Sequence, residues 1–204
     1  MGRWKGTEER LMAEEAKKPK GAGRSSFNLL DSAQLLRELD LRRGSTFLDL
    51  GCGRGEYAIA AAERVGEDGL VYAVDLWKEG IETLREDASS RGLKQIKPVV
   101  ADITSHLPFE EGSIDLCFMA TVLHDLVEFR SEEETLKEVR RMLKKEGTFD
   151  IVEYKKIDGP PGPPITIRLT PEEVEDLLAP YAFRKERTLE VGPYHYLITF
   201  SVKK

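Results

Sequence analysis

Short apolar runs alternate along this chain with longer stretches in which apolar residues recur every three or four positions. The runs at 47–50, 70–74, 96–101, 113–120 and 148–154 are too short for buried helices and read as strands. Between them, helical spacing covers 56–65, 78–91 and 132–145. Ile81 and Leu84 face inward on the second of these helices, and Leu136, Val139, Met142 and Leu143 on the third. Asp31 is the expected N-cap of a leading helix over 33–39, whose Leu35, Leu36 and Leu39 share one face. Gly92 stops the helix over 78–91, and Ser131 with Glu134 predicts a capping box at the start of the helix over 132–145. Repeated strand–helix units imply a parallel sheet with right-handed crossovers.

The ending breaks this rhythm. The prolines of 158–164 exclude a regular helix or a central strand there. Thr170 and Pro171 start a further helix, as cap and first helical residue. Two β-rich runs, 183–191 and 194–202, are joined so closely by Gly192-Pro193 that an antiparallel pair is expected. Residues 1–26 are polar and basic, with a short helix expected over 8–16 and a hinge over 17–23. That segment is either a solvated tail or a lid. The division is therefore a segment 1–26 and one domain over 27–204.

The junction at 47–57 is the most informative part of the pattern. An apolar strand runs into Gly51, Gly53 and Gly55, and a helix follows at once. Glycines let the backbone turn tightly and lie against a ligand, and the next helix offers its free N–H groups. The spacing is G-x-G-x-G. A dinucleotide fingerprint wants a glycine where Glu56 stands, and a carboxylate there disfavours a pyrophosphate. Asp49 closes the first strand, and Asp75 closes the second, about 20 residues past the last glycine, where an acid takes ribose hydroxyls. Asp102-Ile103 follow the third strand, and Thr121-Val122-Leu123-His124-Asp125 the fourth.

Composition narrows the setting. At 204 residues the chain is one domain by length, and a net charge of −6 argues against a nucleic-acid partner held by phosphate attraction. No apolar run reaches the length of a membrane span, and the N-terminus is too polar for a signal peptide. Cys52 and Cys117 are the only cysteines, one in the glycine loop and one in a buried strand, so no disulfide is expected and the setting is the reducing cytoplasm. Asn28 is the only asparagine, and Gln34 and Gln95 are the only glutamines, while Lys, Arg and Glu are plentiful. That bias suits a thermophile or GC-rich coding.

The set of motifs resembles the class I S-adenosylmethionine (SAM) methyltransferases, and among them the small-molecule enzymes grouped with ubiquinone and menaquinone biosynthesis. The resemblance rests on residues 48–55 with Asp75 and Asp102, and covers roughly 30–200. It implies a Rossmann-like α/β fold: a seven-stranded sheet, mostly parallel with an antiparallel last strand, and helices on both faces. It implies S-adenosyl-L-methionine as cofactor, held by Asp49, Gly51, Cys52, Gly53, Gly55, Asp75, Leu76, Trp77, Asp102, Ile103 and Thr121. Asp75 would take the ribose hydroxyls. Leu76, Trp77 and Ile103 would flank adenine, while Asp102 accepts from its amine. Trp77 has the alternative of a partly buried surface aromatic, and Asp102 of a turn cap. Arg24, Phe27 and Leu30 are candidate lid contacts in that family.

Methyl transfer is an in-line displacement, so the protein mainly aligns the nucleophile and excludes water. A base is needed only when the nucleophile must lose a proton. His124 is the leading candidate, with helix initiation as its other reading, and Tyr154 follows. Tyr194, His195 and Tyr196 cannot all reach one pocket, because alternate strand residues face opposite sides. His106 reads as a surface-turn residue. No metal site is expected. The signatures of DNA amino-methyltransferases, cytosine-C5 enzymes and arsenite methyltransferases are missing. The acceptor expected is a small or medium organic molecule. Protein or RNA methylation, a non-catalytic SAM-binding regulator and an NAD-dependent dehydrogenase are the alternatives. The oligomeric state is not legible.

Overall fold

The computed structural model describes residue 21 and residues 23–202. The expected helix over 8–16 lies outside the described residues, as does the hinge apart from Gly21 and Gly23. The described elements are α1 (Ser32–Glu38), β1 (Thr46–Leu50), α2 (Glu56–Val65), β2 (Leu70–Asp75), α3 (Lys78–Ser90), β3 (Ile96–Val100), β4 (Ile114–Ala120), α4 (Leu123–Phe129), α5 (Glu132–Met142), β5 (Leu143–Tyr154), α6 (Pro171–Leu178), β6 (Phe183–Glu190) and β7 (His195–Val202). They build a seven-stranded sheet in the order β3-β2-β1-β4-β5-β7-β6. The first five strands run parallel, and β7 is inserted antiparallel between β5 and β6. This is the architecture expected from the motifs.

Alternation along β4 shows why helices cover both faces. Leu116 and Phe118 join Phe47 and the Tyr57, Ala58 and Ala61 side of α2. Cys117 and Met119 join Leu48, Leu50 and the Leu136, Val139 and Met142 side of α5. Phe118 stacks between Phe47 and Tyr57, with ring centroids 5.8 and 5.0 Å away. Burying each such side chain contributes about 1.5–3 kcal/mol. Asp31 caps α1 through Gln34 N–H at 2.8 Å, and Thr170 with Glu173 forms a full capping box on α6. Cys52 and Cys117 are buried free thiols.

Two expectations need correction. The helix over 132–145 stops at Met142, because Leu143 turns extended and pairs with Ile114, and Lys144 reaches Asp115 at 2.8 Å. Strand pairing thus claims residues whose spacing alone looks helical. Ser131 precedes α5 but makes no side-chain cap. It follows Arg130, which ends α4 in the left-handed region at φ 56°, and its hydroxyl donates back to the exposed carbonyl of Leu126 at 3.3 Å. Glu134 pairs with Lys137 instead.

Two buried titratable groups oppose each other. Burial pushes the Asp150 carboxyl from 3.8 up to about 6, although the hydroxyls of Thr199 and Thr148 donate to it. His195 lies 4.3 Å from the Tyr154 ring, and neither ring nitrogen has a hydrogen-bond partner among the described residues. Burial, with Arg168 and Lys155 nearby, pushes it from 6.5 down to about 4. A raised carboxyl favours folding fully below pH 3.8 and loses that advantage as pH rises to about 6. A depressed imidazole works the other way, because between pH 6.5 and about 4 the unfolded chain binds a proton that the folded chain refuses. Each effect amounts to about 3 kcal/mol, with opposite sign. Relative to the parent protein, the urea midpoint of His195→Phe should fall more as pH rises from about 4 to 6, and that of Asp150→Asn should fall less or climb. Parallel pH profiles in the two variants would refute the compensation.

Candidate functional site

β1 and β4 are neighbours from which the sheet is wound in opposite directions, and a crevice opens beyond their carboxyl ends. The glycine loop leaves β1 there. Gly51, Gly53 and Gly55 all take left-handed φ values, 74°, 58° and 80°. The Gly51 and Cys52 N–H groups donate to Val74 O at 2.8 and 3.1 Å, which ties the loop to β2. A Cβ on Gly51 would fall 2.6 Å from Val122, and one on Gly55 would run into Leu84. At Gly53 a Cβ would meet nothing within 4 Å, so the bare backbone there faces open space.

Asp75 buttresses the loop. Its two carboxylate oxygens accept from Gly53 N–H at 2.8 Å and Trp77 N–H at 2.7 Å, and each oxygen keeps a further lone pair. Asp102 caps its own turn, accepting from the backbone and hydroxyl of Thr104 at 2.9 and 2.7 Å through Oδ1 alone. It therefore has the turn-cap role and also lines the crevice. A cavity of about 310 Å³ is lined by Gly51, Gly53, Asp75, Leu76, Asp102, Ile103 and Thr121 among others. Trp77 is not among its lining residues. Consecutive residues after β2 point opposite ways. With Leu76 on the cavity and half exposed, Trp77 turns onto Gly80, and the Arg54 guanidinium stacks 5.6 Å from its ring.

Asp49 is buried behind the loop, and its Oδ2 has no hydrogen-bond partner among the described residues. Burial raises its pKa well above the carboxylate range, the charges of Asp75 and Glu56 add to the rise, and the Ala58 N–H opposes it. A positive centre at the loop would offset the neighbouring charges that disfavour the Asp49 carboxylate, whereas a pyrophosphate would add to them. Cys52 lines a small side cavity with Gly51, Gly53 and Glu56. Burial, with Asp49 and Asp75 close by, pushes its thiol up, so it stays protonated. The residues present thus fit a sulfonium nucleoside carrying hydroxyls to be bound. In the same small cavity Ser26 and Tyr57 share a hydroxyl–hydroxyl hydrogen bond of 2.8 Å.

A second cavity, of about 190 Å³, adjoins the first across Thr121 and Asp125. His124, Tyr154, Pro163, Pro164 and Ile167 also line it. His124 lies at the start of α4, and its Nδ1 is 2.8 Å from Oε2 of Glu153, a fully buried carboxylate. The other Glu153 oxygen accepts from the His124 backbone N–H at 3.1 Å. Asp125 Oδ2 lies 3.7 Å from His124 Nε2. The Tyr154 ring meets the His124 ring edge-on at 6.2 Å. Glu153 is absent from the candidates read from sequence. The available signal was an acid inside the apolar run 151–154. His106 is on the surface with Glu138 at 3.2 Å, and Tyr196 donates to Leu169 O, so neither joins the cavity.

Thr121 borders all three cavities and has φ 56°, a left-handed conformation that is costly for a β-branched residue. Its N–H donates to Val152 O at 2.8 Å, which holds it in place. Thr121→Asn should raise the unfolding free energy by about 1 kcal/mol, read from urea denaturation, because asparagine tolerates this region. A drop in stability would show that the threonine side chain contributes more than its strain costs.

Residues 41–181 match the family model described as a methyltransferase domain. A demethylmenaquinone methyltransferase of Geobacillus kaustophilus is 29% identical over 113 residues, 55% of this chain and 47% of that protein. A 2-phytyl-1,4-naphtoquinone methyltransferase of Trichormus variabilis is 33% identical over 114 residues, 55% and 48% of the two. The chain spans about half the length of the curated relatives it matches. The crystal structure of a SAM-dependent methyltransferase from Aquifex aeolicus superposes with a TM-score of 0.79 at 30% identity, over 90% of this chain and 95% of that one. No helix among the described residues is long and apolar enough to cross a membrane.

Proposed function

Because this chain belongs to the family of SAM-dependent methyltransferase domains, we propose that it methylates a small organic acceptor at a hydroxyl that gives its proton to His124. One observation carries this reading. His124, held by the buried Glu153, lines a cavity that shares Arg24, Thr121 and Asp125 with the glycine-loop crevice.

S-adenosylmethionine supplies an electrophilic methyl group on a positively charged sulfur. In our reading the backbone at 51–55 and Asp49 hold its amino-acid end, Asp75 its ribose hydroxyls, and Leu76, Asp102 and Ile103 its adenine. The electrophile needs no further activation, so the chain's task lies on the acceptor side. Glu153 accepts a hydrogen bond from His124 Nδ1, which fixes the tautomer and leaves Nε2 as the proton acceptor. Once Nε2 takes the hydroxyl proton, the imidazolium sits between Glu153 and Asp125, which stabilises the charge. Tyr154 and the proline wall exclude water.

The cavity size supports a ring-sized acceptor, since roughly 150 Å³ suffices for benzene. The relatives named for quinone methylation support an aromatic one. A walled cavity also favours a small molecule over a protein or RNA strand. The test is S-adenosylhomocysteine formation by the full chain with phenol, catechol, 2-naphthol and dithionite-reduced naphthoquinones. At least one should yield product in step with loss of SAM. Tight SAM binding with turnover only on protein or RNA would overturn the proposal.

A further inference from the structure

Arg168 is buried at 2% exposure, yet among the described residues none of its hydrogen-bond partners is a carboxylate. Nε donates to Pro163 O at 2.8 Å. Nη1 donates to Ile157 O at 2.7 Å and Lys155 O at 3.3 Å, and Nη2 to Gly159 O at 2.7 Å and Pro161 O at 2.9 Å. The carbonyls come from every second residue of 155–163, so the chain is wound around one guanidinium.

The sequence of this loop explains why. Pro160, Pro161, Pro163 and Pro164 carry acceptors but no N–H donors, so the segment cannot satisfy its own carbonyls. A guanidinium offers five donors in one rigid plane and replaces what the prolines lack. The same guanidinium lies 5.5 Å from the Tyr154 ring centroid. A Cβ on Gly162 would fall 2.7 Å from the Tyr154 ring, so the loop is pressed against that ring. Gly162, Pro163 and Pro164 are the loop's face on the His124 cavity.

We propose that Arg168 is a positioning residue: by gathering the carbonyls of 155–163 it sets the shape of the acceptor cavity, and so decides which acceptors enter. The specificity part rests on the reading of that cavity as the acceptor site, whereas the loop-holding part does not. Lysine has three donors in a compact head and cannot span five carbonyls, so Arg168→Lys should fail as Arg168→Met does.

The experiment uses the full chain in three measurements. Tryptic cleavage at Lys155 or Lys156 should be about tenfold faster in Arg168→Met and Arg168→Lys, because the loop loses its anchor. Affinity for S-adenosylhomocysteine by calorimetry should stay within about twofold, as the glycine loop is remote from the change. In the S-adenosylhomocysteine complex, 2-naphthol should bind about fivefold more weakly, since its wall is no longer preorganised. Wild-type resistance to trypsin in both variants would overturn the proposal outright. Faster cleavage with unchanged 2-naphthol affinity would overturn the specificity role. A wild-type protein that binds S-adenosylhomocysteine but no 2-naphthol would count against the acceptor reading, and trypsin alone would then decide the loop anchor. If Arg168→Met does not fold, Arg168→Lys, which keeps the charge and stem, gives the same three readings.

Discussion

Asp75→Ala should weaken SAM binding by at least about 30-fold, equivalent to roughly 2 kcal/mol, when measured by calorimetry. The expectation has two parts. A carboxylate accepting ribose hydroxyls contributes about 1.5–3 kcal/mol for each charge-assisted hydrogen bond. Asp75 also accepts the Gly53 and Trp77 amides, so its removal frees the loop that would hold the ligand's other end. Asp75→Asn, which keeps one acceptor but no charge, should fall between wild type and alanine. Circular dichroism at the titration temperature separates lost affinity from lost folding. Wild-type affinity in a folded Asp75→Ala would remove this residue from the site and with it the reading of the crevice.

The larger loss is expected at the proposed proton acceptor. His124→Gln should lower kcat about 10²- to 10⁴-fold on a hydroxyl acceptor, the range for a positioned general base. Glu153→Gln should lose much of the same rate, because in the proposed mechanism it acts by orienting His124 and stabilising its charge. The double variant should then be little worse than His124→Gln, as expected for residues working as a unit. SAM affinity should stay within about twofold throughout, since neither residue borders the glycine-loop cavity. A pH profile distinguishes chemistry from structure. Without His124 the rate should climb as pH approaches the acceptor's own pKa, because solution then supplies the deprotonated nucleophile. A variant slow at every pH in the same proportion would make His124 a structural residue.

The alternation of strand and helix was legible because burial on both sheet faces leaves a strong periodic trace, as at Leu116 to Met119. The glycine loop and Asp75 were legible for a related reason: each solves a backbone problem with a residue type that few others replace. Where the reading failed, another partner displaced the one that local spacing suggests. Leu143 has helical spacing but pairs with Ile114, and Ser131 has a capping residue's identity but donates to Leu126. Of the two residues after Asp75, Leu76 lines the crevice while Trp77 packs on Gly80, a difference their sequence positions do not mark.

The linear order of residues determined the alternation of strands and helices and the stretch of bare backbone after β1, because those follow from local periodicity and from turns only glycine makes easily, whereas the arrangement of the seven strands followed from the family resemblance. It could not determine which distant side chains meet. Glu153 and His124 are 29 residues apart, and the partners of Arg168 are carbonyls, which every residue possesses and no sequence letter marks. Only the packed structure, by setting the end of β5 against the start of α4 and coiling a donor-poor loop around one cation, decided what surrounds the His124 cavity.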